Sequence, residues 1–162
     1  MKIKVSQLHG KIPYQADFQV YSKDIVDDNH ELNGEISDQG LHVTGQVSLL
    51  NRHQAMCDLH ITGVMLFECA RCLKLTPYSC DYEYHEPVDI GDSELYIDLI
   101  PCVEECLYIN EPFRVLCKPD CKGICPKCGA NLNEQACQCK DETDSQNNSE
   151  IDPRMEVLKK LL

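Results

Sequence analysis

The segment LHVTGQVSL at residues 41–49 alternates strictly between two kinds of side chain. Its odd-numbered residues are apolar apart from Gly45, whereas its even-numbered residues are polar. Successive side chains of a β-strand point to opposite faces of the sheet, so this pattern places the apolar residues on one face. The segment therefore predicts a half-buried strand with one face toward a core.

Two more segments with the same period follow, CDLHITGVMLF at 57–67 and YSCDYEYH at 78–85. Pro87 predicts the end of the third segment, because proline cannot donate to a strand ladder. Three successive strands with short links predict an antiparallel meander. Upstream, residues 2–5 predict a short first strand, and residues 22–40, rich in Asp, Asn, Ser and Gly, predict a loop.

A helix is predicted after the third strand. Asp98 is a typical N-cap residue, and Pro101 fits the first turn of a helix. The apolar residues that follow recur at helical spacing as far as Leu107, and Pro112 ends the run. A helix of about ten residues beside a meander indicates the α+β fold class.

The composition divides the chain into four parts. Residues 1–116 form the predicted α+β core domain, and residues 117–140 form a small Cys-rich zinc-binding module. The wholly polar residues 141–150 indicate a flexible linker. Residues 151–162 predict a C-terminal helix, with Asp152 as its N-cap and a proline in its first turn.

The overall composition is that of a globular protein. Of 162 residues, 43% are hydrophobic and 26% are charged, and the apolar stretches are far shorter than a membrane span. The first ten residues contain no continuous apolar region, so we expect no export signal and a reducing, cytoplasmic location. We expect neither a membrane nor a small-molecule substrate as a partner.

The net charge of −12 is unevenly spread along the chain. Residues 81–116 contain ten acidic residues and a single basic one, Arg114, whereas the flanking parts are almost balanced. Such a block repels nucleic-acid phosphates and attracts basic surfaces. It indicates either an ordinary acidic surface or a docking face for a basic protein.

The twelve cysteines indicate metal binding, because disulfides are rare in a reducing compartment. CPKCG at residues 125–129 is typical of a zinc knuckle, in which two thiolates meet one ion across a tight turn. Six cysteines lie between residues 117 and 139, and their spacing alone does not select four. The structural Zn²⁺ site that we favour uses Cys125, Cys128, Cys137 and Cys139, with Cys117 and Cys121 as the alternate pair.

A separate CARC pair, Cys69 and Cys72, lies between the second and third predicted strands. It is open to three interpretations: half of a zinc site, a redox pair or two loop thiols. A redox pair is typically followed directly by a helix, whose N-terminus lowers the pKa of a thiol, and here a strand is predicted instead. A zinc site would need two more ligands from elsewhere in the chain, for which Cys80, Cys102 and Cys106 are candidates. Two loop thiols are the commonest outcome for such a pair, so we expect loop thiols here.

The order of these motifs resembles the YceD-like family, bacterial and plastid proteins associated with accumulation of large-subunit ribosomal RNA. The resemblance rests on CARCL at 69–73 after an alternating strand. The IDL at 97–99 and the cysteine pattern of 117–139 are similar to the Gram-positive-type branch of the family. DPR at 152–154 before a Leu-rich helix is similar to its C-terminal signature.

The resemblance implies a cytoplasmic ribosome-biogenesis factor that supports 23S rRNA maturation or accumulation, and we expect this factor to be non-enzymatic. Its expected partner is either the large-subunit rRNA precursor or a basic ribosomal protein, and the acidic block slightly favours the protein. We expect the partner-binding residues to be Cys69, Arg71, Cys72 and Lys74. The alternatives are a thiol redox protein using Cys69 and Cys72, or a purely structural zinc-binding interaction module.

Overall fold

A computed structural model describes residues 1–8, 12–25, 32–91 and 95–139. The chain divides into two compact units, Met1–Cys121 and Lys122–Leu162. The predicted linker at 141–150 and the predicted helix at 151–162 lie outside the described residues. In the part of the chain that is described, no helix is long and apolar enough to cross a membrane.

The first unit contains six strands, one α-helix and two short 3₁₀ helices (Val5–Gln7 and Ser22–Asp24) among its described residues. The strands are β1 (Lys2–Lys4), β2 (Tyr14–Val20), β3 (Gly34–Asn51), β4 (Gln54–Glu68), β5 (Leu75–Asp89) and β6 (Tyr96–Asp98), and the helix is α1 (Ile100–Ile109). β2 to β5 form an antiparallel four-stranded sheet in chain order, and β1 pairs with β6 in a separate antiparallel ribbon. The predicted meander and the helix beside it are therefore confirmed.

The alternating pattern sets the pairing register of the sheet. Val43 of β3 pairs with Ile61 of β4, which pairs in turn with Tyr82 of β5. Val43 and Ile61 are fully buried, and this face of the sheet forms the core. A slip of one residue would expose every apolar side chain of a strand, so the register follows from the pattern of residues 41–49.

The prediction of a loop over residues 22–40 is wrong for its last part, because β3 begins at Gly34. Gly34 pairs with Phe67, and a Cβ atom at residue 34 would clash with Cε1 of the Phe67 ring. Glycine is thus required here by a close approach within the sheet. The composition of residues 22–40 alone indicates turns, because it contains no information about this approach.

The helix α1 packs on the apolar face of the sheet through Cys102, Val103, Cys106 and Leu107. Leu99 is its N-cap residue, and Asp98 Oδ1 accepts a hydrogen bond from the Ile100 amide at 3.2 Å. The predicted helix is therefore confirmed at ten residues, with its cap one residue later than expected.

Four cysteines belong to this core and not to any group of sulfur atoms that can hold a metal ion. They are Cys57, Cys80, Cys102 and Cys106. Burial raises the pKa of the Cys80 and Cys106 thiols, so both stay neutral and pack as small apolar side chains. Three of these cysteines were the candidate extra ligands for Cys69 and Cys72, and the structure places them elsewhere.

Candidate metal centres

The second unit brings together the four sulfur atoms favoured by the sequence, which we call the distal sulfur group: Cys125, Cys128, Cys137 and Cys139. All four lie within 4.8 Å of one another. Cys137 Sγ is 3.2 Å from Cys125 Sγ and 3.5 Å from Cys128 Sγ. This arrangement can hold a metal ion.

A tight turn sets the first half of the distal sulfur group. The Gly129 amide donates to the Cys125 carbonyl at 2.9 Å, and the Cys125 amide donates to the Ala130 carbonyl at 2.8 Å. Gly129 has φ 72°, and an added Cβ atom would meet nothing within 4 Å. Glycine is therefore favoured because it adopts a positive φ without strain, and not because a side chain would clash. Hydrogen bonds, first from the Cys128 backbone amide, lower the pKa of Cys125 to about 6.

The segment around the distal sulfur group has almost no apolar core of its own. Gly123 and Cys125 are the only buried residues among residues 122–139, all of which the structure describes. A segment of this size needs a metal or disulfides to fold stably. The four sulfur atoms are therefore placed where a bound metal ion would supply the stability that burial does not.

The first unit contains a second group, which we call the proximal sulfur group: Cys69, Cys72, Cys117 and Cys121. These sulfur atoms also lie within 4.8 Å of one another and can hold a metal ion. Cys69 Sγ is 3.8 Å from Cys121 Sγ, and Cys72 Sγ is 3.6 Å from Cys117 Sγ. Cys69 is fully buried, whereas Cys117 is partly exposed.

The proximal sulfur group corrects two expectations. Cys69 and Cys72 are not isolated loop thiols, and Cys117 and Cys121 lie with them and not with the distal sulfur group. The two halves are separated by 45 and 52 residues in the chain. The β4–β5 connection meets the segment after α1 only in the folded domain, so sequence spacing carries no signal for this pairing.

The turn at Cys69 repeats the hydrogen bonds of the turn at Cys125. The Leu73 amide donates to the Cys69 carbonyl at 2.9 Å, and the Cys69 amide donates to the Lys74 carbonyl at 2.9 Å. Leu73 has φ 59°, the only positive φ of a non-glycine residue among the described ones. A left-handed conformation costs about 1–2 kcal/mol for an L-residue with a Cβ atom.

Leu73→Gly is expected to leave the free energy of unfolding unchanged or to raise it by about 1 kcal/mol, because relief of the left-handed strain offsets the backbone entropy of glycine. Leu75→Gly is the matched control, since Leu75 is similarly exposed but extended at the start of β5. It should lose about 0.5–1 kcal/mol. Urea unfolding of both variants measures the difference, and equal losses would contradict the strain at Leu73.

Arg71 and Lys74 lie beside the proximal sulfur group. Arg71 Nη1 donates to the Cys121 carbonyl at 2.7 Å, and the Ala70 amide donates to the Val115 carbonyl at 2.9 Å. These bonds join the β4–β5 connection to the segment after α1. Exposed basic residues on both segments form what we call the basic edge: Arg71, Lys74, Arg114 and Lys118.

A groove of about 910 Å³ adjoins the basic edge. Its lining includes Tyr108, Phe113 and Arg114 together with the carboxylates of Glu68 and Glu111. The Phe113 side chain is fully exposed, which is unusual for a large aromatic residue. The groove therefore presents one cation of the basic edge, Arg114, and an open aromatic ring side by side.

Comparison with known proteins identifies the class of this chain. The family described as large ribosomal RNA subunit accumulation protein YceD matches residues 57–162, and the chain belongs to this family. The resemblance in the sequence motifs is thus confirmed. The family name assigns its members a role in accumulation of large-subunit ribosomal RNA.

Individual relatives come from bacteria and plants. The chain is 28% identical over its whole length to uncharacterized protein YlbN of Bacillus subtilis, covering 96% of that protein. It is 31% identical to uncharacterized protein Rv2926c of Mycobacterium tuberculosis over 59% of this chain and 49% of that protein. It is 37% identical to the chloroplastic YCED homolog 1 of Arabidopsis thaliana over 34% of this chain and 16% of that protein. No solved structure matches the chain significantly.

Proposed function

We propose that this chain is a cytoplasmic, non-enzymatic factor that supports accumulation of large-subunit ribosomal RNA by binding the rRNA precursor through the basic edge. The observation that carries the proposal is the position of the exposed basic side chains around the proximal sulfur group. Glu68 and Asp120 are the acidic residues in the same two segments, 68–75 and 113–121. Four cations against two carboxylates thus distinguish these segments from the strongly acidic remainder of the chain.

A structural Zn²⁺ in the distal sulfur group is part of the same proposal. Soft thiolate ligands favour zinc, and four thiolates fill its tetrahedral shell. With no open position for water or substrate, such an ion stabilises the fold and performs no reaction. Because four thiolates leave the ion no position for a reaction, this site supports a binding role and not a catalytic role for the module.

The basic edge suits RNA better than a protein surface because an aromatic ring accompanies the cations. Single-stranded bases stack on exposed aromatic rings, and arginine and lysine contact the phosphates. Phe113 and Arg114 are neighbours in the chain and line the same groove. Arg71 is held by its bond to the Cys121 carbonyl, so its position depends on the fold of the edge.

The alternative partner, a basic ribosomal protein, would use the acidic residues of 81–116. Carboxylates of this block already have partners within the first unit, which weakens their attraction for a ligand. Asp81 bonds to His60 at 2.6 Å, Glu105 accepts from Tyr84 Oη at 2.8 Å, Asp89 accepts from Gln54 at 3.0 Å, and Asp98 pairs with the N-terminal amine at 3.1 Å.

A redox role for Cys69 and Cys72 is less well supported. A redox thiol needs access to its substrate. Cys69 is fully buried, and Cys72 is nearly so. In the proposed function, Cys69 and Cys72 have a structural role beside the basic edge.

Salt-titrated binding to a transcribed 23S rRNA precursor tests the RNA proposal. The triple variant Lys74→Ala/Arg114→Ala/Lys118→Ala should bind more weakly, and the slope of log K against log salt should fall by about 2, at roughly 0.7 per lost phosphate contact. Phe113→Ala should cost about 1–3 kcal/mol of binding free energy.

The matched control is Lys2→Ala/Lys4→Ala/Lys23→Ala, which removes the same charge from exposed positions outside the basic edge. It should keep the wild-type slope. Equal weakening of RNA binding in both triple variants contradicts specific binding through the basic edge. Binding of a basic ribosomal protein with no measurable binding of rRNA contradicts the RNA proposal as a whole.

A further inference from the structure

We propose that the proximal sulfur group binds a second structural Zn²⁺, so that the folded chain carries two zinc ions. Its ligands are Cys69, Cys72, Cys117 and Cys121. This site is separate from the distal sulfur group, and it does not depend on whether the basic edge binds RNA.

The sulfur spacing of the proximal group fits one tetrahedral ion. A Zn–S distance of about 2.3 Å places tetrahedral sulfur ligands about 3.8 Å apart. The Sγ–Sγ distances of Cys69–Cys121 and Cys72–Cys117 are 3.8 and 3.6 Å. Each joins one member of the β4–β5 connection to one member of the segment after α1, so the four atoms surround a common centre.

The backbone provides the second argument. The turns beginning at Cys69 and Cys125 have the same pair of hydrogen bonds, and each has a left-handed residue directly after its second cysteine. In the distal turn that residue is Gly129, which adopts the conformation freely, whereas in the proximal turn it is Leu73. A strained leucine persists only where its surroundings fix the turn, and two cysteines bound to one ion fix it.

Ordinary hydrophobic packing of thiols does not account for this group. The core thiols Cys57 and Cys80 are surrounded by the apolar side chains of the sheet and helix. In the proximal group the buried side chains of Cys69, Cys72 and Cys121 cluster with Cys117, and among the described residues Leu116 is the one other apolar side chain packed against them. Four thiols turned toward one another form a donor set of the kind that binds zinc.

The ion would join two parts of the chain that are far apart in sequence. The β4–β5 connection carries Arg71, and the segment after α1 carries Cys121, whose carbonyl accepts the Arg71 guanidinium hydrogen bond. The second zinc therefore stabilises the contact between the two segments of the basic edge. Four thiolates complete its coordination, so it is a structural ion.

Zinc content of the full-length chain, purified without chelators and measured by native mass spectrometry, tests this proposal. We expect two zinc ions per wild-type chain, one in Cys72→Ser and one in Cys128→Ser, since these substitutions remove a ligand from the proximal and the distal group respectively. The control Cys80→Ala changes a core cysteine outside both groups and should retain two.

A second pair of variants separates metal loss from misfolding. Cys117 is partly exposed, which leaves room for a larger side chain. Cys117→His keeps a zinc ligand and should retain two ions, whereas Cys117→Ser should retain one. A zinc content that does not fall in Cys72→Ser and Cys117→Ser overturns the proposal, as does iron in place of zinc at the proximal group.

Discussion

Removal of the proposed distal Zn²⁺ by a chelator is expected to unfold residues 122–139 while the four-stranded sheet keeps its structure. This segment buries only Gly123 and Cys125, so no apolar core replaces the metal. Structural zinc contributes about 10–16 kcal/mol to the folding of small zinc-finger peptides, far more than such a segment gains from burial. The sheet and α1, in contrast, bury a continuous apolar cluster.

NMR spectra of ¹⁵N-labelled protein before and after chelation measure this effect residue by residue. Amide signals of 122–139 should collapse to random-coil positions, whereas Val43 and Ile61 should keep their dispersed shifts. Cys128→Ser should reproduce the same loss without a chelator, because it removes one ligand of the distal sulfur group. A segment that keeps its dispersed signals after complete metal removal would show that the zinc is not what folds it.

Gly45→Ala is expected to destabilise the first unit by about 2–4 kcal/mol. Gly45 lies in β3 between Ala16 of β2 and Leu59 of β4. A Cβ atom at residue 45 would clash with the Asp58 carbonyl oxygen and would lie 2.8 Å from the Leu59 Cα atom. Both atoms belong to the backbone, so relief of the clash requires movement of a whole strand.

Urea unfolding followed by far-ultraviolet circular dichroism gives the free energy of unfolding of the variant. Gln46→Ala is the matched control, because Gln46 is the next residue of β3 and its side chain is exposed. We expect a change within about 0.5 kcal/mol for this control. Equal stability of the two variants would mean that β3 and β4 do not approach as closely as the structure shows.

The parts of the fold that could be predicted are those with a strong local signal. The strict alternation of residues 41–49 gave the strand and its buried face, because a half-buried strand imposes period two on the side chains. Asp98 and Pro101 located the start of α1 to within one residue for an equally local reason, the chemistry of a helix terminus.

The parts that could not be predicted depend on tertiary contacts. β2 was missed, because Ala16 and Val20 are its only fully buried residues and its other positions are mixed. The start of β3 at Gly34 depends on the approach of Phe67 from the neighbouring strand. The CPKCG knuckle could be recognised from the sequence because its two cysteines are close neighbours in the chain. The partners of Cys69 and Cys72, in contrast, follow only after β5, β6 and α1.

The separation of 45 and 52 residues between the halves of the proximal sulfur group also bears on the order of folding. Neighbouring strands of a meander meet through short loops, so their pairing requires little loss of loop entropy and precedes long-range closure. The thiols of the β4–β5 connection meet their partners only after α1 has docked on the sheet. We therefore expect the proposed ion to bind at this group late in folding, after the β4–β5 connection and the segment after α1 have come together.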